Sequence, residues 1–218
     1  MGSIALFPCS YTNGATIIGE LISSLHLKVY TDEMLFSEVS EQFGISAEKL
    51  KKNLFGRLPT LNRYLIKKKK IINCLKCSLG AQLRSHPKDR LHYGLHTCLL
   101  DSQNDLVLKV LVFDDEESRV TRATQQEGFT EKTARDHVQK HDKKVFDWTN
   151  FLFHKEAYDR SLYDFVLDLN HRHPIDIAQD ITAVYRITAN LKSLFPAYGA
   201  LPVLENQPNM GEHMSWVG

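Results

Sequence analysis

Charge of one sign, long apolar runs and cysteine are all scarce in this chain of 218 residues, and each shortage excludes a class of function. Lys and Arg number 27 against 26 Asp and Glu, a net charge of +1. No overall field therefore draws the chain toward nucleic acid or an anionic membrane, and any anion site has to be local. No apolar run approaches the roughly 18 residues that span a bilayer, and the N-terminus has no basic region ahead of a long apolar core. The expectation is a soluble, cytoplasmic protein. The four cysteines, Cys9, Cys74, Cys77 and Cys98, come without a secretion signal, which argues against a disulfide framework. "CLKC" has the spacing of half a zinc site, but no second C-x-x-C or H-x-x-x-H follows, so Cys74 and Cys77 read as two thiols on one helix.

What is present is enough for one packed domain. Hydrophobic residues make up 43% of the chain, sufficient to bury a real core. "SIALFPC" is a short apolar segment ending in the turn-rich "SYTNG", which predicts a buried first strand and a tight loop. From Ile17 the apolar positions Ile17/Ile18, Leu21/Ile22 and Leu25 recur at helical spacing. Leu27 to Tyr30 reads as a second strand, turning at Thr31-Asp32 into a helix that either residue can cap. Ser46 starts a further helix, with Glu48 in its first turn. Residues 51 to 92 form the basic part, in which Lys67 to Lys70 read as a solvated helix face or a patch for a phosphate or protein partner. No aromatics interleave with it, which weighs against nucleic acid.

"LHTCLL" (Leu95 to Leu100) and "DLVLKVLVF" (Asp105 to Phe113) look like strands, the second apolar enough to be central and covered on both faces. "DDEESRVTRATQQEG" reads as a helix stopped by Gly128, and a second long helix follows with Thr130 as its N-cap. Tyr163 to Asn170 alternates as a late strand, and "IDIAQDITAVYRITANL" makes a final helix. "HRH" (His171 to His173) is a dense cluster but reads as surface. From about Pro196 the periodicity stops, so residues 1–195 are expected to form the domain and 196–218 a loosely packed tail. Alternating strands and helices predict an α/β fold with a mainly parallel sheet covered on both faces.

The stretch "CSYTNGAT" falls between the first strand and the first helix, where a phosphate-binding loop belongs. G-x-x-x-x-G-K-[ST] works because glycines let amides curl round phosphate oxygens, lysine neutralises charge and the hydroxyl meets magnesium. Gly14 and Thr16 fit that pattern; Cys9 and Ala15 stand at the first glycine and the lysine. Ser10, Thr12, Asn13, Gly14, Ala15 and Thr16 are thus the candidate anion-binding residues, with Thr16 the candidate metal contact.

The chain from about Ile4 to Leu191 resembles the cytidylate kinase-like branch of the nucleoside monophosphate kinases. "PCSYTNGAT" corresponds to a loop of the form S-R-x-x-G-S-G-G-R and "YTDEML" to a Y-D-K-E-L-like turn. "VLKVLVFDDEESRVTRATQQEGFTEKTARDHVQKHDKKVFDW" is similar to the family's strand, R-x-x-R helix, E-G-[IF]-[ST]-E-x-x-A connection and D-K-x-R lid helix, followed by "YDFVLDLN". The resemblance implies a three-layer P-loop fold with a helical lid, ATP and Mg2+ as cofactors, and a substrate nucleotide near the second strand. It makes Arg119, Arg122, Lys143 and Lys144 candidate catalytic cations and Asp32 and Asp142 candidate substrate contacts, with Asn170 at the end of the late strand.

Departures fall on the chemistry. Thr12 and Ala15 replace loop glycines, Thr16 replaces the loop arginine, Val145 stands where the lid arginine is expected, and a G-R-G-like segment is reduced to "YGLH" (Tyr93 to His96). Phosphoryl transfer depends on such cations, whereas folding needs none of them. Two functions follow as expectations: an eroded, non-catalytic descendant that binds a nucleotide or phosphate-containing ligand, or an active kinase transferring the ATP γ-phosphoryl group to a CMP-like acceptor. A bland reading of Arg119 and Arg122 stands beside both, as surface residues paired with Asp115, Glu116 or Glu117.

Overall fold

The structure, a computed structural model, describes residues 2–56, 62–86, 89–100 and 107–194. Its centre is a five-stranded sheet in the order β2-β3-β1-β4-β5, with β1 Ser3–Pro8, β2 Lys28–Thr31, β3 Arg90–Tyr93, β4 Val107–Phe113 and β5 Phe165–Asp168. Every pairing is parallel. Parallel neighbours need crossovers, and the helices that supply them cover both faces.

Alternation along β1 divides the core. Ile4 and Leu6 face one side with Leu91, Val110, Val112 and Leu167, packed under α1 (Gly14–Leu25) and α7 (Pro174–Leu194) through Ile17, Leu21, Ile177 and Ile181. Ala5 and Phe7 face the other with Leu111, under α2 (Asp32–Phe43), α3 (Ala47–Phe55), α4 (Asn62–Ser85) and α6 (Glu131–Phe153) through Leu35, Leu50, Leu75, Leu79 and Trp148. Helix α5 (Glu116–Glu127) packs on α6 in a small separate core of Val120, Ala123, Ala134 and Val138, which also takes in Tyr11 and Phe129. Helix, sheet and helix make the expected three layers, with α5 and the start of α6 as the lid.

The caps fall where short polar side chains offer an acceptor: Thr31 to Met34 N–H, Ser46 to Lys49 N–H, Asp115 to Ser118 N–H and Thr130 to Thr133 N–H. Gly128 closes α5 in the left-handed region at φ 67°. The basic run Lys67 to Lys70 lies on α4, largely exposed, with the Lys68 ammonium 4.2 Å from the centre of the Phe151 ring. Cys74 and Cys77 share that helix as free thiols.

Three expectations need correction. "LHTCLL" is not a strand: Leu95–Leu99 is a short 3-10 helix, fully buried, whose apolar run comes from being enclosed rather than from sheet pairing. The strand of this region is β3, just ahead, which the polar "RLHY" conceals. Strand β4 is interior and buried, but β1 holds the central position. His171 lies at a turn with φ 64° and is exposed, in keeping with a surface cluster. The tail expected from residue 196 lies outside the described residues. Among the described residues no helix is long and apolar enough to cross a membrane.

Candidate functional site

A cavity of about 650 Å³ opens at the carboxyl ends of β1, β2 and β3, where open parallel sheets place their ligands. Its walls come from Cys9 through Thr16, from Thr31, Asp32 and Glu33, from Tyr93, Gly94 and Leu95, and from the lid through Gln126, Glu127, His141 and Lys144. All the candidate loop residues are therefore gathered in one wall, and Asp32 faces them from the start of α2.

The loop is bent, not flat. Tyr11 and Asn13 have φ of 59° and 55°, and such left-handed residues among right-handed ones turn successive amides toward a common centre. Thr12 is buried and its hydroxyl donates to the Cys9 carbonyl at 2.9 Å, fixing the bend. Asn13 leads into α1, its carbonyl accepting from Thr16 N–H at 3.0 Å and Ile17 N–H at 3.2 Å. Among the described residues, the amides of Ser10, Tyr11, Thr12, Asn13, Gly14 and Ala15 make no hydrogen bond, and the Ser10 hydroxyl, also buried, has no partner. They sit at the positive end of the twelve-residue α1, so a bound anion would satisfy donors that are otherwise open. Gly14 gives the Tyr93 ring room: a Cβ there would lie 2.8 Å from the Tyr93 hydroxyl and displace it.

The expected cations are disposed differently. Arg119 is buried and makes a two-pronged ion pair with Asp142, at 2.8 and 2.6 Å. Burial alone would raise the Asp142 pKa, but hydrogen bonds from Arg119 and Tyr158 hold it far below the usual carboxylate range. Tyr158 donates to the same carboxylate at 2.7 Å. Arg122 donates through Nε to the Tyr11 carbonyl at 2.5 Å and pairs with Asp114 at the end of β4. Both arginines thus brace the loop and the lid; neither is a surface residue paired within its own helix. Glu116 and Glu117 pair instead with Arg135. Lys143 is exposed and pairs with Asp147. Lys144 lines the cavity, its ammonium 4.4 Å from the centre of the Phe55 ring. Val145 is fully buried, so the position of the family's lid arginine faces the core. Cys9, packed beneath the loop, has its thiol pushed up to about 12, chiefly by burial, which makes it inert.

Sequence reasoning missed several wall residues. Tyr11 is the wedge that joins the loop to the α5–α6 core, and Gln126 donates to the Asn13 side chain at 2.6 Å. Leu95 and His96 hold Asp32 by hydrogen bonds, and Gly94 leaves room for its carboxylate. The one sequence signal for these was "YGLH", whose roles depend on a fold-back that spacing does not reveal.

A nucleotide's phosphates fit the amide wall. A resident magnesium does not: Thr16 offers one hydroxyl, Asp114 is committed to Arg122, and among the described residues no group of three His, Cys, Asp or Glu side chains is placed to hold a metal.

Comparisons with known proteins agree with this architecture. An uncharacterized protein from Eubacterium ventriosum superposes with a TM-score of 0.60 at 20% identity, covering 84% of this chain and 97% of that one. TT1252 from Thermus thermophilus matches with a TM-score of 0.52 at 16% identity, over 85% of this chain and 97% of that one. A gluconokinase from Sinorhizobium meliloti matches with a TM-score of 0.50 at 12% identity, over 90% and 98%. These likenesses show the P-loop kinase fold. No curated protein matches the sequence. The family model described as cytidylate kinase-like matches residues 7–171, a span running from the end of β1 past β5, and the chain therefore belongs to the cytidylate kinase-like family.

Proposed function

We propose that this kinase-like protein binds a nucleotide or another phosphate-containing ligand in the cavity and acts without phosphoryl transfer, as a regulatory member of its family. One observation carries the reading: the open amides of Ser10 to Ala15 form an anion wall, while Arg119 and Arg122 are tied to Asp142, Asp114 and the Tyr11 carbonyl. Binding needs the amides, which remain. Transfer needs mobile cations at the developing charge, and a missing cation of the arginine-finger kind lowers turnover by about a thousandfold or more. Ala15 and Val145 remove two such positions. Asp32, Glu33 and Glu127 add negative charge around the cavity, so affinity for polyphosphates rests on the amides and Lys144. Any Mg2+ would arrive with the nucleotide and meet Thr16.

The alternative, an active kinase on a CMP-like acceptor, draws support from Lys144 lining the cavity. Nucleotide-dependent thermal unfolding, run with ATP and with CMP, with and without magnesium, separates these readings when paired with a coupled transfer assay. A ligand at about ten times its Kd adds about 1.4 kcal/mol, roughly 3–5 °C in a domain of this size. The expected result is a shift of that order with no turnover. An unmoved melting temperature at millimolar nucleotide overturns the binding; transfer above blank overturns the non-catalytic role.

A further inference from the structure

Below the cavity runs a buried polar chain that neither phosphate binding nor the lid employs. Asp32 accepts three hydrogen bonds from one short stretch: Leu95 N–H to Oδ2 at 3.0 Å, His96 N–H to Oδ1 at 2.8 Å, and the His96 ring at Nδ1 to Oδ1 at 2.8 Å. The approach is possible because residue 94 is glycine: its φ is 133°, and a Cβ would lie 2.7 Å from the Asp32 carboxylate. The other His96 nitrogen, Nε2, lies 3.4 Å from His92 Nδ1, and His92 Nε2 is buried with no partner. Tyr30 stands edge-on to both rings, at 5.3 and 5.6 Å between centroids.

The protons can be assigned from the bonds. An ionised carboxylate only accepts, so His96 carries hydrogen on Nδ1. With Nε2 of a neutral His96 bare, His92 Nδ1 has to donate to it, and the chain ends in the bare Nε2 of His92. A charged His96 would reverse the second bond and leave His92 with a buried, orphaned N–H, the costlier kind of unpaired group. Burial pushes His92 down to about 3, with His96 and Arg90 acting in the same direction. The charged and titratable groups facing the pair are Tyr30 from β2, Asp32 from α2 and Arg90 from β3.

We infer that His96 is a positioning residue for the ligand: with two amides it fills three of the four acceptor positions of Asp32 and leaves one Oδ2 lone pair for a hydroxyl or amino donor, while His92 holds His96 in the required tautomer. The cavity then has two ends of opposite character, amides for a phosphate and a fixed carboxylate for a donor-bearing group. The ligand role rests on the proposed binding function; the tautomer does not.

Two measurements separate these parts. In the unliganded protein, long-range ¹H–¹⁵N spectra at neutral pH should show both rings protonated at Nδ1 and bare at Nε2. Hydrogen on His96 Nε2 overturns the inference whether or not any ligand binds. In titrations with CMP and with pyrophosphate, His96→Leu should weaken CMP about tenfold, the loss of one correctly held charged acceptor, and leave pyrophosphate unchanged. His96→Asn keeps a donor at the position of Nδ1 and should restore CMP affinity. Equal loss for both ligands, or no rescue by Asn, overturns it. If wild type binds neither ligand, the preceding reading falls and the ring-nitrogen spectra alone decide this one.

Discussion

At the scale of single residues, the loop shows how an anion site can lose its charge and keep its shape. Tyr11 and Asn13 hold positive φ without being glycine, a conformation costing about 1 kcal/mol or more at each. The Thr12 bond to Cys9, the Arg122 bond to the Tyr11 carbonyl and the Gln126 bond to Asn13 offset that cost. Ala15, exposed and second in α1, leaves the wall without a cation. Replacing it tests the geometry directly. Ala15→Lys puts a positive charge at the positive end of α1, which should lower unliganded stability by about 0.3–1 kcal/mol at low ionic strength. The same charge should tighten ATP about tenfold. Denaturant unfolding and ATP titration measure the two effects; an unchanged affinity would mean that residue 15 does not face the phosphates.

At the scale of elements, the lid is a structural unit before it is anything else. Helices α5 and α6 share a small apolar core, and their ion pairs, Arg119 with Asp142 and Arg135 with Glu116, Glu117 and Glu131, tie the two helices and brace the first turn of α6. The phase of α6 explains the missing arginine, since Val145 and Trp148 turn inward while Lys144 is exposed at the cavity. Val145→Arg, the substitution that restores the family pattern, should therefore cost about 3 kcal/mol or more by burying an unpaired charge. Lys144→Ala should stay within about 1 kcal/mol of wild type and yet reduce the nucleotide-induced thermal shift. Urea unfolding of both variants and thermal shift of the second are the checks; a stable Val145→Arg protein would mean that α6 turns at little cost.

At the scale of the whole molecule, acid sensitivity follows from the buried histidine. The pKa of His92 is lowered from its ordinary value near 6.5 to about 3, so between those values the unfolded chain binds a proton that the native protein excludes. Stability is unaffected above pH 6.5 by this group and falls as pH drops below it, with a slope of up to about 1.4 kcal/mol per pH unit. Asp32 and Asp142, whose pKa values are lowered, contribute stability that is present above the ordinary carboxylate range and lost below it. Asp32 and Asp142 therefore add little between pH 6.5 and about 4.5, where the histidine acts. Denaturant unfolding across that interval should show a shallower slope in His92→Phe than in wild type. Equal slopes would place the proton elsewhere.

Local regularity along the chain was enough to locate most elements. The spacing of Ile17, Leu21 and Leu25 marks α1, the Ser46 and Thr130 caps mark the starts of α3 and α6, and the apolar run of β4 marks an interior strand, because these signals act between near neighbours. Ordering of similar motifs also pointed to the family. The fate of the charges required the fold. Arg119 meets Asp142 across 23 positions and Asp32 meets His96 across 64, so whether a cation serves a ligand or an internal partner depends on long-range packing. Burial misled in the same way at "LHTCLL", where enclosure by α2, α6 and the sheet makes a 3-10 helix as apolar as a strand. Sequence by itself determined the layers and the loop, which arise from periodic burial and local turns. Tertiary structure alone decided which donors and acceptors remain open to a ligand, because hydrogen-bond satisfaction depends on partners that only folding brings within reach.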